Sequence, residues 1–200
     1  MIKNIIFDLG NVLISYQPEE YLKKFNLDEG QRQAVMQGVF KSKYWAELDR
    51  GTITEQDAVD KFCEYTPQAE NAIRKVMVHW MDMLTPIPET IEILKELKAA
   101  GLHTFALSNY HEAAFMRTVS ENDFFSLFDG KAISYQIKLI KPQREIYEYI
   151  LSKYGLKPEE CLFIDDMPEN IEGAKILGIN TLLYKNPVQL RKYLSDSNIL

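Results

Sequence analysis

The chain has 200 residues, of which 46 % are hydrophobic and 26 % charged, a balance that suits one large globular domain or a core with a small insertion. A formal net charge of −6 sets nucleic acid and anionic membrane aside as main partners, because both need clustered cations, yet leaves room for a local basic site that holds a small anion. The two cysteines, Cys63 and Cys161, are far apart and without ligand spacing, which argues against a disulfide framework or a zinc site and for core thiols in a reducing cytoplasm.

The chain opens on Ile5-Ile6-Phe7-Asp8-Leu9-Gly10-Asn11-Val12-Leu13, an apolar run with one carboxylate and a glycine-containing corner. Such a run predicts a buried parallel strand covered on both faces, with Asp8 at its mouth, where parallel sheets bind ligands. An ionised Asp there costs desolvation unless a cation, donors or a chemical task compensates it. The start of the chain lacks the basic region and apolar core of a signal peptide, and no window is long enough to span a bilayer, so we expect a cytoplasmic protein without membrane contact.

From about residue 18 to 84 the chain shows helical periodicities, aromatic residues and no convincing strand, and it ends on Thr85-Pro86-Ile87-Pro88, an extended re-entry. We expect a helical insert over 17–85, set into a core of 1–16 and 86–200. Leaving the sheet just after Asp8, the insert must hang over the strand ends, where lids exclude water and select substrates.

Beyond the insert, strands are expected at 103–107, 131–134, 161–164 and 181–184, with helices between them. The helix at 89–100 carries Ile91, Leu94 and Leu97 on one face and stops at Gly101; the one at 143–154 stops at Gly155; the one at 168–177 begins with Pro168 and stops at Gly178. This alternation implies an α/β fold, a Rossmann-like parallel sheet flanked by helices and joined by right-handed crossovers.

Polar groups gather at the strand ends. The second strand runs into Ser108-Asn109 and the fourth into Asp165-Asp166, while Lys141-Pro142 opens the helix that contains Arg144. A carboxylate nucleophile, an acidic pair, a hydroxyl and a lysine together meet the needs of phosphoryl transfer to an aspartate. Mg²⁺ takes hard oxygen ligands, which suits Asp8, one carboxylate of the pair and a backbone carbonyl.

Four motifs in this order, Phe7-Asp8-Leu9-Gly10-Asn11-Val12, Leu107-Ser108-Asn109, Lys141-Pro142 and Phe163-Ile164-Asp165-Asp166 with Asn170 following, make the chain resemble the haloacid dehalogenase-like hydrolases over nearly its whole length. The insert matches the position of that family's small helical cap, and Arg50-Gly51-Thr52-Ile53-Thr54 looks like a turn common in such caps. Within the family, the chain looks most like the branch of sugar phosphatases that act on glucose 1-phosphate. The resemblance implies that Asp8 attacks phosphorus, Ser108 binds the phosphoryl group, Lys141 orients and neutralises, and Asn109 contacts substrate or shapes the pocket. It also implies Mg²⁺ held by Asp8, Asp166, the Gly10 carbonyl and Asp165, the last directly or through water. The substrate it implies is a small phosphorylated metabolite, such as a hexose 1-phosphate.

Gly10 departs from the pattern, because most phosphatases of the family carry a second aspartate there as acid and base. Its loss, worth about 10²–10⁴-fold for a positioned acid or base, leaves three readings. One is a phosphatase for better leaving groups such as sugar 1-phosphates; another is a metal-independent 2-haloacid dehalogenase; the third is a binding or regulatory protein with a weak site. Asp165-Asp166 favours the first. In isolation a strand-end Asp is a turn cap, Ser108-Asn109 a helix cap, and Lys141 a solvated side chain; order along the chain is what argues for function. His111 is expected at an exposed helix start, with a substitute acid as the alternative. Tyr44, Trp45, His79 and Trp80 are expected to pack the insert, while Glu47 and Arg50 are possible substrate contacts. Oligomeric state is not legible in the sequence.

Overall fold

Four buried residues at the start of the chain form strand β1, Asn4–Phe7, and every other strand of the main sheet is placed relative to it. The computed structural model describes residues 1–200. β1 pairs in parallel with β4, His103–Ser108, on one side and with β6, Cys161–Asp165, on the other. Beyond β4 lies β5, Gly130–Ile133, and beyond β6 lies β7, Asn180–Leu183, giving the order β5-β4-β1-β6-β7. All pairings are parallel, as the alternation of apolar runs and helical periods predicts.

The register explains why the polar strand ends meet. Phe7 lies opposite both Ala106 and Ile164, so Asp8 leaves the sheet at the level where β4 delivers Ser108 and β6 delivers Asp165. The first strand is shorter than its apolar run. After Phe7 the backbone turns tightly, and the N–H groups of Val12, Leu13 and Ile14 all point at the Leu9 carbonyl. Leu9, Val12 and Leu13 are fully buried within this turn, so their hydrophobicity serves a packed loop and not a longer strand. Asn11 there has φ 53, a left-handed conformation that Asn tolerates better than most residues. The turn leads into β2, Ile14–Ser15, which pairs antiparallel with β3, Thr85–Pro86.

Between these two short strands the chain is helical. α1 spans Pro18–Leu22, and α2 spans Glu29–Val35 and continues as a π-helical turn over Met36–Phe40. α3 is Lys43–Arg50, α4 is Glu55–Tyr65 and α5 is Glu70–Met77, with a short 3₁₀ turn at Trp80–Met83. Their ends carry sequence signals. Asp28 and Gln31 form a capping box, Thr54 and Asp57 another, and Ser42 caps α3 through the Trp45 N–H. The Arg50-Gly51-Thr52-Ile53-Thr54 turn is explained locally: Gly51 ends α3 at φ 72, and Thr54 opens α4.

After β3, helix α6 is Pro88–Ala99, α7 Glu112–Glu121, α8 Ser134–Ile137, α9 Arg144–Tyr154, α10 Pro168–Lys175 and α11 Pro187–Asp196. One continuous apolar cluster joins Ile5 and Phe7 to the helical segment, through Trp45, Phe62 and Trp80. A second, holding Ile6, Tyr147 and Phe163, fills the opposite face of the sheet. The helical segment is also tied down by polar contacts. Ser134 Oγ, at the end of β5, donates to the Asp49 carbonyl at 2.5 Å and accepts the Tyr110 N–H at 2.8 Å, so α3 ends directly over the strand ends. No helix is long and apolar enough to cross a membrane.

Candidate active site

Asp8 uses its two oxygens differently. Oδ1 accepts from the Ser108 hydroxyl at 2.7 Å and the Leu9 N–H at 2.7 Å, and Lys141 Nζ lies 2.8 Å from it. Oδ2 has no hydrogen-bond partner. A carboxylate clamped by one oxygen and free at the other is an oriented nucleophile.

Lys141 is buried and reaches two carboxylates, Asp8 at 2.8 Å and Asp165 Oδ2 at 2.6 Å. Asn109 holds the lysine's backbone reciprocally: its amide nitrogen donates to the Lys141 carbonyl at 3.0 Å, and its oxygen accepts the Lys141 N–H at 2.8 Å. The side chain of Asn109 is thus engaged in fixing the strand-end loop that carries the ammonium. Asp165 is fully engaged as well. Its Oδ1 accepts from the Met167 N–H and Asn170, and its Oδ2 from Lys141 and Asn170.

Asp166 is held from the other side, where Asn11 donates to its Oδ2 at 3.0 Å. Asn11 in turn accepts from the Tyr16 N–H and the Gln17 amide, both at 2.9 Å, so the left-handed turn after Asp8 places a donor on the acidic pair. The Gly10 carbonyl accepts no hydrogen bond.

Charge is out of balance here. Oxygens of Asp8, Asp165 and Asp166 lie within 4.8 Å of one another, with one ammonium among them. Burial pushes the Asp8 carboxyl up to about 7, Lys141 pulling the other way and Asp165 and Asp166 adding repulsion. Asp166 is raised too, by burial first and then by Asp165. Burial works against the charged form of Lys141, but Asp165 and Asp8 outweigh it and hold the ammonium above its usual value. A cluster of hard oxygens short of positive charge fits a divalent cation such as Mg²⁺, and no soft ligand is present to favour zinc.

The space above Asp8 is a cleft of about 170 Å³ lined by Gly10, Ser108, Lys141, Asp166 and Asn170 among others. It adjoins a smaller cavity of about 100 Å³ reaching under the helical segment, and Gly10, Tyr16 and Asn109 border both. Asp8, Gly10, Ser108, Asn109, Lys141, Asp165 and Asp166, scattered over nearly the whole chain, therefore meet at the C-terminal ends of the central strands.

Other expectations meet mixed outcomes. His111 is not an exposed helix-start residue: it is 2 % exposed, its Nδ1 lies 3.6 Å from Asp49 Oδ1, and its Nε2 has no partner. Trp45 and Trp80 pack the helical segment and also wall the cavity. Tyr44 packs there too, against the apolar cluster and edge-on to Tyr65, whereas His79 is exposed. Glu47 and Arg50 border neither space, whereas Asp49 between them does. Arg144 pairs with Glu148 on the surface at 2.6 Å. Asn11, Tyr16 and Asp49 are among the pocket residues to which sequence reasoning gave no role. Asp49 carried a signal, since it lies four residues after the buried Trp45 on one helical face; Asn11 and Tyr16 carried none beyond following Asp8.

Comparison with known proteins agrees with this geometry. Over 98 % of its length the chain is 24 % identical to D-ribitol-5-phosphate phosphatase of Bacteroides thetaiotaomicron, of which it covers 98 %. It is 25 % identical to the sesquiterpene phosphatase astK of Aspergillus oryzae, over 88 % of this chain and 87 % of that one. It is 23 % identical to drimenol cyclase drtB of Aspergillus calidoustus over 98 % of its length, but spans only 36 % of that protein. Among solved structures, a HAD family enzyme of Bacteroides thetaiotaomicron in its magnesium complex superposes with a TM-score of 0.69, at 25 % identity, over 92 % of this chain and 93 % of that one. Residues 2–178 match the model of the haloacid dehalogenase-like hydrolases, and with the catalytic-type cluster at the strand ends this shows that the chain belongs to that family and is a hydrolase.

Proposed function

We propose that the protein is a Mg²⁺-dependent phosphomonoesterase that works through an aspartyl phosphate on Asp8. The observation that carries this reading is the asymmetric Asp8 carboxylate, with Oδ1 clamped by Ser108, Lys141 and the Leu9 N–H and Oδ2 free. Oδ2 attacks phosphorus, the ester P–O bond breaks, and the alkoxide departs, taking its proton from solvent water because Gly10 supplies no acid. Water then attacks the same phosphorus, the bond between phosphorus and Asp8 Oδ2 breaks, and phosphate and a proton leave to solvent as the carboxylate is regenerated. Lys141 balances charge between nucleophile and phosphoryl group, and Ser108 turns its hydroxyl to a phosphoryl oxygen. Asn109 and Asp165 position Lys141. A bound Mg²⁺ would neutralise phosphoryl charge, held by Asp8, Asp166 and the Gly10 carbonyl, with Asp165 bordering it.

We assign residues 17–85 the role of a cap over this chemistry. Relatives named as phosphatases, and one solved as a magnesium complex, support the reading. The substrate we propose is a small phosphorylated metabolite of the sugar phosphate class, a hexose 1-phosphate among the first to try, because a good leaving group offsets the absent acid at Gly10. Two buried free thiols fit a cytoplasmic setting.

Hydrolysis of hexose 1-phosphates, hexose 6-phosphates and phosphoglycolate, assayed with Mg²⁺ and with chelator, tests this. We expect activity that chelator abolishes and Mg²⁺ restores. Equal activity in chelator would remove the metal requirement, and no hydrolysis of any ester would favour the dehalogenase or binding readings, which turnover of a 2-haloacid separates.

A further inference from the structure

The cavity beside the cleft holds groups that the phosphoryl chemistry does not use. Tyr16, Trp45, Asp49, Trp80 and His111 surround it, and Gly10 forms its border with the cleft. Trp80 lies against the His111 ring at 4.8 Å between centroids, and Trp45 meets Trp80 edge-on at 4.9 Å. Within this aromatic box, two buried polar atoms lack any partner: His111 Nε2 and the Tyr16 hydroxyl. Leaving such groups unpaired costs roughly 1–3 kcal/mol each; Tyr16 borders both the cleft over Asp8 and the cavity, and His111 borders the cavity.

Asp49 determines what His111 can offer. With Nδ1 facing the Asp49 carboxylate at 3.6 Å, a proton carried on that side leaves the buried, unpartnered Nε2 as an acceptor. Tyr16 can donate or accept. An alcohol hydroxyl, which is both donor and acceptor, satisfies such a pair; a hydrocarbon satisfies neither atom. No lysine or arginine borders the cavity, while the Asp49 carboxylate does, so a second anionic group would meet repulsion and no counter-charge. The volume of about 100 Å³ suits a fragment of a few carbons, given that a cavity of roughly 150 Å³ takes a benzene.

We propose that this cavity is the subsite for the alcohol half of the substrate, and that it selects an uncharged, hydroxyl-bearing group through His111 Nε2 and Tyr16 Oη, with Asp49 fixing the histidine and excluding a second anion. The inference rests on the phosphatase reading and deepens it, naming phosphate esters of neutral sugars or polyols over those of hydrocarbons or hydroxy acids. Trp45 and Trp80 supply flat apolar walls for the carbon-bound face of such a group.

Three esters on one three-carbon frame test this: glycerol 3-phosphate, propyl phosphate and 3-phosphoglycerate. Their binding to the Asp8→Asn protein in Mg²⁺ is measured by calorimetry, so that turnover plays no part. We expect glycerol 3-phosphate to bind tightest, and Tyr16→Phe or His111→Phe, added singly, to lower its advantage over propyl phosphate by about 3- to 10-fold, one neutral hydrogen bond each. Asp49→Asn should narrow the gap between glycerol 3-phosphate and 3-phosphoglycerate. Equal binding of the propyl and glycerol esters, or a preference that survives both substitutions, would overturn the proposal. A wild-type protein that binds selectively but hydrolyses no ester would instead remove the phosphatase reading and leave the subsite standing.

Discussion

Gly10 concentrates what is unusual about the chemistry. A Cβ built on it would meet nothing closer than Asp8 Oδ2 at 4.0 Å, and its backbone is not in the left-handed region, so the position accepts a side chain without strain. What glycine omits is therefore a functional group and not a steric necessity. Gly10→Asp should raise turnover of simple alkyl phosphates by about 10²-fold, the low end of the worth of a positioned acid. No gain in a folded variant would mean that leaving-group protonation does not limit the enzyme. At this scale the sequence was informative about place at a strand end or helix start: that Asp8, Ser108, Lys141 and Asp166 come together around one cleft was legible, while their roles belong to the proposed function. It was faint where a role depends on which way a helix faces. Among Glu47, Asp49 and Arg50 the one mark in the sequence is that Asp49 follows Trp45 by four residues, and the packing of α3 turns that residue to the cavity.

Among the elements, the strands of the main sheet were legible because buried parallel strands are written as short apolar runs between glycine-stopped helices. The run from Ile5 to Leu13 misled in length, since a packed turn buries Leu9, Val12 and Leu13 as fully as a strand would. The pairing of β2 with β3 had no sequence signal, being two residues long on each side. How the elements are fastened is equally invisible in the sequence. Asp129 shows this: it accepts from Lys98 at the end of α6 at 2.6 Å and from the Thr104 N–H of β4 at 2.9 Å, with His103 at 3.5 Å. Burial works against its ionisation, yet Lys98, the Thr104 N–H and His103 outweigh it and hold the carboxyl below its usual 3.8. A carboxyl lowered by folding stabilises the native state above its unfolded value and loses that contribution as pH falls through the folded one. Asp129→Asn should thus cost about 1 kcal/mol near neutrality. In denaturant titrations the gap from wild type should close toward strongly acidic pH; a gap independent of pH would show that charge at this position is irrelevant.

For the molecule as a whole, the division of labour follows from connectivity. The sheet brings four distant segments together at the C-terminal ends of its strands, and the helical segment that departs after Asp8 returns over them, tied by Ser134 to the Asp49 carbonyl. The central claim is covalent catalysis by Asp8, and the intermediate itself tests it most directly. Acid-quenched enzyme taken during turnover of a sugar phosphate, then reduced with borohydride, should yield homoserine in place of Asp8 in the peptide spectrum, because an acyl phosphate is reduced and a free carboxylate is not. Asp8→Asn should show neither the conversion nor hydrolysis. Unreduced Asp8 in enzyme that is turning over, or full hydrolysis by Asp8→Asn, would contradict the account.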